Sequence, residues 1–180
     1  RCRNYSPKDW YLQSHALGLL HHFQGNTVMP EQRIAEGLPE WIRDHLTRYI
    51  ESDGADGHLW DASLGGGVGM IETLLLTTTG RKSGLALTIP LIYGKTDGGY
   101  CVIASKGGAP AHPAWYLNLE ADPDVHIQVA ADKYDARARV AEGAEREKLW
   151  QQMVAIYAPY EDYKAAASNR EIPVVVIEPV

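Results

Sequence analysis

The chain has 180 residues, of which 45% are hydrophobic and 22% are charged, and its net charge is −6. This composition predicts one globular domain with its own core and an added N-terminal part. The acidic balance argues against general nucleic-acid binding and against attachment to anionic membranes. Cys2 and Cys101 form no metal-ligand or redox pair, and no apolar run is long enough to span a bilayer. We therefore expect a cytoplasmic protein.

The N-terminal stretch WYLQSHALGLLHHF (residues 10–23) has the apolar spacing of a helix. We favour a helix that packs on the domain; the alternative is an amphipathic element that lies on a membrane or over the mouth of the active site. Its histidines have no Cys, Asp or Glu neighbours within the stretch, so we expect no metal site there. Residues 30–51 predict a second helix that restarts at Pro39.

Two glycine-rich stretches look like nucleotide-binding loops but lack the required context. The run at residues 65–69 precedes the predicted strand MIETLLLTTT, whereas a dinucleotide fingerprint follows a strand and opens a helix. The stretch GRKSG (residues 80–84) lacks the glycine spacing of a triphosphate-binding loop. We predict a flexible loop for the first stretch and reject triphosphate binding for the second.

Residues 74–108 predict three successive strands, LLLTTT, ALTIPLIYG and YCVIA, joined by turns. In an up–down–up meander, the first and third strands end at the same edge of the sheet. Arg81, Lys82 and Lys106 should therefore meet there, over glycine-rich backbone. Cations together with outward-pointing N–H groups predict a site for a multiply anionic ligand.

The remaining chain alternates between helices and strands. Residues 112–123 predict a short helix, residues 125–130 and 134–141 a hairpin, and residues 142–158 a long helix. A further helix starts at Pro159, and IPVVVIEPV predicts a closing strand in a central sheet position. Arg137 and Arg139 share one face of the hairpin, which we expect to be solvated.

Side chains in two of these helices are candidates for ligand binding. Asn118 is an amide among apolar neighbours, and a buried amide needs hydrogen-bond partners. Tyr157, Tyr160 and Tyr163 recur every three residues, and their rings either line a pocket for a flat substrate or belong to the core. No pattern typical of a catalytic nucleophile, a carboxylate pair or a zinc-binding helix occurs. Such a site fits a bound cofactor that carries the reactive atom.

Three stretches resemble the deazaflavin-dependent nitroreductase and quinone reductase family, which comprises actinobacterial and related split β-barrel oxidoreductases: LLLTTTGRKSG, ASKGGAPAHPAWYLNL and YAPYEDYKAAASNREIPVVVIEP. The resemblance implies a mainly β, α+β fold: an antiparallel split β-barrel of the FMN-binding type with flanking helices. It covers about residues 45–180, so we expect an N-terminal helical extension (residues 1–45) and a barrel domain (46–180). It also implies coenzyme F420, an 8-hydroxy-5-deazaflavin, and hydride transfer from its reduced form to quinones, nitroaromatics or similar electron-poor small molecules.

The resemblance assigns roles to particular residues. Ser105 is implied to lie beside the deazaflavin ring, and no metal ligand is implied. Our hypothesis is that Ser105, Tyr157 or a nearby backbone N–H donates hydrogen bonds to the acceptor during catalysis. Substrate contacts are implied for Ile92, Tyr157, Tyr160 and Tyr163. A further set of residues is implied to contact the cofactor, either at its phosphate and tail, at its ring, or from the helix that covers it. These residues are Arg81, Lys82, Ser83, Pro90, Ala104, Ser105, Lys106, Gly107, Gly108, Ala114, Trp115, Tyr116 and Asn118.

One position departs from the nitroreductase pattern. Ile92 stands where that branch has a tyrosine, and Tyr93 follows it. Because side chains alternate along a strand, we expect Tyr93 to face away from Ile92, so that the pocket lacks one hydroxyl.

Alternatives remain for the activity, the location and the assembly. The activity alternatives are an FMN-dependent oxidoreductase on the same barrel and a non-catalytic deazaflavin carrier. We expect a small-molecule electron acceptor and no nucleic acid as partners, with the chain either a monomer or a homodimer. Peripheral membrane contact through the N-terminal segment is the alternative to a purely cytoplasmic location.

Overall fold

The computed structural model describes residues 33–34, 38–167 and 170–180. The predictions for the N-terminal stretch, including its membrane alternative, therefore lie outside the described residues. Among the helices that the structure describes, none has the length and apolar character to cross a membrane. In chain order the elements are β1 (Arg33–Ile34), α1 (Glu40–Glu51), β2 (Leu59–Asp61), β3 (Met70–Thr79), β4 (Ala86–Thr96), β5 (Gly99–Ile103), α2 (Ala114–Ala121), β6 (Asp124–Val129), β7 (Asp132–Val140), α3 (Gly143–Ile156), α4 (Tyr160–Ala166) and β8 (Val174–Pro179).

Six antiparallel strands close into a barrel, which confirms the predicted fold. The order is β3–β4–β5–β8–β7–β6, and β6 pairs back with β3. The predicted meander is present as β3, β4 and β5, and β8 takes the predicted central position between β5 and β7. Closure of this kind removes the free strand edges that an open sheet would leave, except along the first half of β4, which β5 does not cover.

The alternation of side chains along β3 and β4 separates the inside of the barrel from the outside. Leu74 and Leu76 belong to the same core as Tyr93 of β4, whereas Leu75 packs under α1. Ile92 packs instead with the cluster formed by the outer helices, so Tyr93 and Ile92 face opposite ways as predicted. Helix α2 adds three side chains to the barrel core, Trp115, Tyr116 and Leu119.

A second core lies between the barrel and helices α3 and α4. The helical spacing predicts Leu149, Trp150, Met153 and Ile156 as the buried side of α3. The first three are buried there, whereas Ile156 is only partly buried. They pack with apolar side chains of β5 and β8, including Cys101 and Val174. Helix α4 contributes Tyr160 to the same core, so the position of α4 depends on this packing.

Two local predictions were wrong. Arg33 and Ile34 were predicted as helix but form a short strand parallel to β4, opposite Leu87 and Thr88. Strand β5 pairs with β4 only from Tyr93 onward, so the first half of β4 has an edge that needs hydrogen-bond partners.

The hairpin between β6 and β7 turns at residues 130–131 and not at 131–133. The predicted domain boundary at 45/46 falls within α1, and the division itself stays a prediction.

Candidate functional site

A groove of about 850 Å³ runs along β4, and we call it the β4 groove. Residues 87–92 of β4 line it along its length. Helix α2, the segment after β5, helix α1 and the tyrosines around α4 supply the other walls. Of the residues predicted to form the site, the following line the groove: Pro90, Ile92, Ser105, Lys106, Gly107, Ala114, Trp115, Asn118, Tyr157, Tyr160 and Tyr163.

Asn118 connects the cationic turn after β3 to the groove. Its side-chain oxygen accepts hydrogen bonds from the backbone N–H of Arg81 (3.3 Å) and from the Arg81 guanidinium (3.0 Å). Its side-chain nitrogen donates to the Thr78 hydroxyl at 3.1 Å. Asn118 is only 2% exposed, so these contacts confirm that the buried amide has partners. The amide thereby fixes the turn next to the groove wall.

The segment 105–108 after β5 has an unusual backbone. Ser105 is right-handed (φ −73°, ψ −42°), and Lys106, Gly107 and Gly108 follow with φ of 48°, 61° and 77°. A right-handed residue followed by a left-handed one turns successive N–H groups to the same side, which forms an anion-binding concavity. Lys106 is exposed and forms no ion pair with any described residue. This segment therefore offers both a free charge and backbone donors.

The predicted meeting of the three cations at one sheet edge was only partly right. Strand β3 ends opposite Ala86, whereas β5 ends near Ile92, because β5 has only five residues. The two strand ends are offset by roughly 20 Å along β4. Lys106 lines the groove, whereas Arg81 and Lys82 lie in a turn outside its lining. Arg81 is connected to the lining through its hydrogen bonds to Asn118.

Tyrosine hydroxyls hold the glycine-rich stretch against the groove. Tyr157 donates a hydrogen bond to the Gly65 carbonyl, and its hydroxyl also lies 3.0 Å from that of Tyr163. Burial is the main cause that raises the pKa of Tyr157 and of Tyr160 above the ordinary tyrosine value, so both stay protonated. A 3₁₀ turn (Ala62–Gly65) thus leads into the stretch predicted as a flexible loop, and Gly65, the residue that the two share, is anchored.

Six predicted cofactor contacts do not line the groove: Arg81 and Lys82, which lie in the turn after β3, and four others. Ala104, Gly108 and Tyr116 are buried behind its wall, and Ser83 lies in the exposed turn, where its hydroxyl accepts a hydrogen bond from the Leu85 N–H. Burial, and then a hydrogen bond with Glu120, raises the pKa of Tyr116 to about 12. The roles assigned to these four residues stay predictions.

Aromatic and basic residues that the sequence did not predict also shape the site. Trp41 of α1 stacks on Trp60 of β2, with ring centroids 6.0 Å apart and an interplanar angle of 24°. Both rings line the groove, and Trp41 is 52% exposed. His45, also in the lining, contacts the Gly57 carbonyl through Nε2 at 2.6 Å, and burial lowers its pKa. The basic residue that was missed, Arg170, contacts the segment 105–108.

Comparison with known proteins identifies the family. Residues 41–179 match the family described as F420H(2)-dependent quinone reductase. An F420H(2)-dependent quinone reductase of Mycobacterium tuberculosis is 38% identical over 139 residues, which cover 76% of this chain and 88% of the relative. A solved F420-H2 dependent reductase is 43% identical with a TM-score of 0.55, covering 59% of this chain and 93% of that one. A second solved structure, described as a domain-swapped dimer, is 38% identical with a TM-score of 0.57, covering 77% and 97%. The chain therefore belongs to the F420H(2)-dependent quinone reductase family and is, as predicted, a reductase that uses coenzyme F420.

Proposed function

We propose that the β4 groove holds coenzyme F420 and a quinone-type electron acceptor together, so that the acceptor is reduced by hydride transfer. When bound, the reduced deazaflavin supplies the hydride. The observation that carries this proposal is the combination, in one groove, of apolar walls, a lysine that pairs with no described residue, and a backbone segment whose N–H groups can bind an anion. A flat ring with an anionic tail needs both kinds of surface.

The residues present fit such a cofactor. The volume of about 850 Å³ lies within the usual range of ligand sites. Pro90, Ala114 and Trp115 would contact the apolar part of the cofactor. The Lys106 side chain and the N–H groups of residues 105–107 would bind its anionic part, whereas the N–H of Gly108 already donates to the Ser105 carbonyl at 3.0 Å. Arg81 and Lys82 would add charge outside the groove.

Ser105 is the residue best placed to assist the acceptor. It lines the groove, and its hydroxyl makes no hydrogen bond to any described residue. A free hydroxyl can donate to a quinone oxygen as negative charge develops there. Tyr157 differs, because its proton already bonds the Gly65 carbonyl. We therefore propose that Ser105 donates to the acceptor and that Tyr157 positions the groove wall.

Replacing Ser105 by alanine should slow turnover more than it weakens cofactor binding. We expect kcat to fall by about 10-fold, because one donor to the developing charge is lost. The Kd for the cofactor should change by less than about 3-fold, because the backbone donors remain. Stopped-flow reoxidation and a binding titration measure the two quantities. Thr96→Val is the matched control, since it also removes a hydroxyl and Thr96 lies outside the groove lining. Equal losses in binding and turnover for Ser105→Ala would contradict the assigned role.

Replacing Lys106 by alanine should weaken cofactor binding by about 5-fold at low salt, because a charge-assisted contact is lost. The difference from the wild type should shrink as salt rises, because exposed charges are then screened. Titrations at low and high ionic strength measure this, with Lys148→Ala as a control lysine away from the groove. A salt-independent difference would contradict an electrostatic role for Lys106.

The proposed function as a whole is tested by titrating the protein with reduced and oxidised coenzyme F420 and then adding menadione. Tight binding followed by protein-dependent reoxidation supports the proposal. Binding without reoxidation would favour a carrier, and tight binding of FMN in place of F420 would favour the flavin alternative.

A nitroimidazole acceptor should be reduced more slowly than menadione, because Ile92 supplies no hydroxyl to the groove.

A further inference from the structure

Arg170, which precedes β8, makes an extensive set of contacts with the chain on both sides of the 105–108 segment. At the start of the segment, its guanidinium donates to the carbonyls of Ala104 (3.1 Å) and Ser105 (2.8 Å). After the end of the segment, the guanidinium donates twice to the Ala109 carbonyl, at 3.1 and 2.9 Å, and once to Nδ1 of His112 at 3.2 Å. One planar fork thus fixes both ends of the segment.

The direction of these hydrogen bonds determines where the backbone donors point. In a trans peptide unit the carbonyl and the following N–H point in opposite directions, and the described chain has no cis peptide bond. Because the carbonyls of Ala104 and Ser105 are turned toward Arg170, the N–H groups of Ser105 and Lys106 are turned away from it. Ser105 and Lys106 themselves line the β4 groove.

The backbone of the segment also needs an external restraint. Lys106 has a φ of 48°, a conformation that costs a residue with a Cβ about 1 kcal/mol, and two further left-handed residues follow it. Such a run persists only where surrounding contacts hold it. Among the described residues, Arg170 supplies more hydrogen bonds to this part of the chain than any other side chain.

We infer that Arg170 is a positioning residue that holds the 105–108 segment in its anion-binding conformation. The inference rests on the proposed function for the identity of the anion, the charged part of coenzyme F420. Arg170 would touch neither cofactor nor acceptor and would act through the backbone of Ser105 and Lys106. Lysine should not replace it, because a single ammonium group cannot reach carbonyls on both sides of the segment.

The test compares Arg170→Met and Arg170→Lys with Arg146→Met as the matched control. Arg146 also donates to a backbone carbonyl near the start of β8, that of Ile172, but it makes no contact with the segment. We expect both Arg170 variants to raise the Kd for oxidised coenzyme F420 by about 10-fold and to speed amide hydrogen exchange at residues 105–109 in the cofactor-free protein. Arg146→Met should leave both quantities near the wild-type values. Arg170→Lys keeps the charge and most of the volume, so it serves as the second variant if Arg170→Met folds poorly.

The outcomes separate this inference from the proposed function. If the wild type binds coenzyme F420 and the Arg170 variants match Arg146→Met in exchange and affinity, the inference is overturned and the proposed function stands. If exchange rises but affinity does not, the segment does not bind the anion and the inference is again overturned. If the wild type does not bind coenzyme F420, the proposed function fails, and the ligand inferred for this segment fails with it.

Discussion

Gly108→Ala should destabilise the protein by roughly 2–3 kcal/mol and reduce cofactor binding. A methyl group at this position would lie 2.7 Å from the Tyr163 carbonyl oxygen and 2.8 Å from the Ala166 side chain. These contacts are too short, and the φ of +77° is a conformation that alanine disfavours. The 105–108 segment would have to move away from α4, and Ser105 would move with it.

Gly107→Ala is the matched control for this experiment. Gly107 is also left-handed, with a φ of +61°, but a methyl group on its Cα would have no other atom within 4 Å, so the substitution carries only the conformational cost of about 1 kcal/mol. Urea unfolding of both variants measures the difference in free energy, and a titration with coenzyme F420 measures binding. Equal destabilisation by the two substitutions would show that the contact with α4 is unimportant.

The strands were predictable because their signal is local. Strand β3 has the bounds that the run MIETLLLTTT predicts. The run is uninterrupted by glycine or proline, and it ends where the turn begins at Gly80. The solvated face of β7 was also predicted, and Arg139 does pair at the surface with Glu145 and Glu178. Strand β1 was not predictable, because two residues carry no periodicity and pair only where β5 leaves an edge of β4 uncovered.

The candidate site was predictable only where a residue type imposes a requirement. Asn118 stood out because a buried amide needs partners, and the structure supplies Arg81 and Thr78. The left-handed φ of Lys106 has no signal in its residue type. Arg170 lies 65 residues from Ser105 in a stretch without periodicity, so only the folded chain shows that the two meet. The stacking of Trp41 on Trp60 likewise depends on how α1 packs.

Trp150→Ala should have the largest effect on stability, because Trp150 is 0% exposed at the centre of the core between the barrel and the outer helices. Removing a buried tryptophan side chain costs about 3–5 kcal/mol, which for a chain of this size lowers Tm by on the order of 10 °C. Its indole N–H donates to Glu161 of α4 at 2.6 Å, and its ring packs with Tyr160. The substitution should therefore loosen α4 as well.

Trp150→Phe separates the two contributions of this side chain. Phenylalanine keeps most of the apolar volume but cannot donate to Glu161, so we expect it to cost about 1–2 kcal/mol. Guanidinium unfolding followed by far-ultraviolet circular dichroism measures both variants without depending on tryptophan fluorescence. The alanine variant should also bind coenzyme F420 more weakly than the phenylalanine variant, because α4 packs against the 105–108 segment and carries Tyr163 into the groove. If the two substitutions lower the free energy of unfolding by the same amount, the hydrogen bond to Glu161 and not the packing of the ring would hold α4 on the barrel.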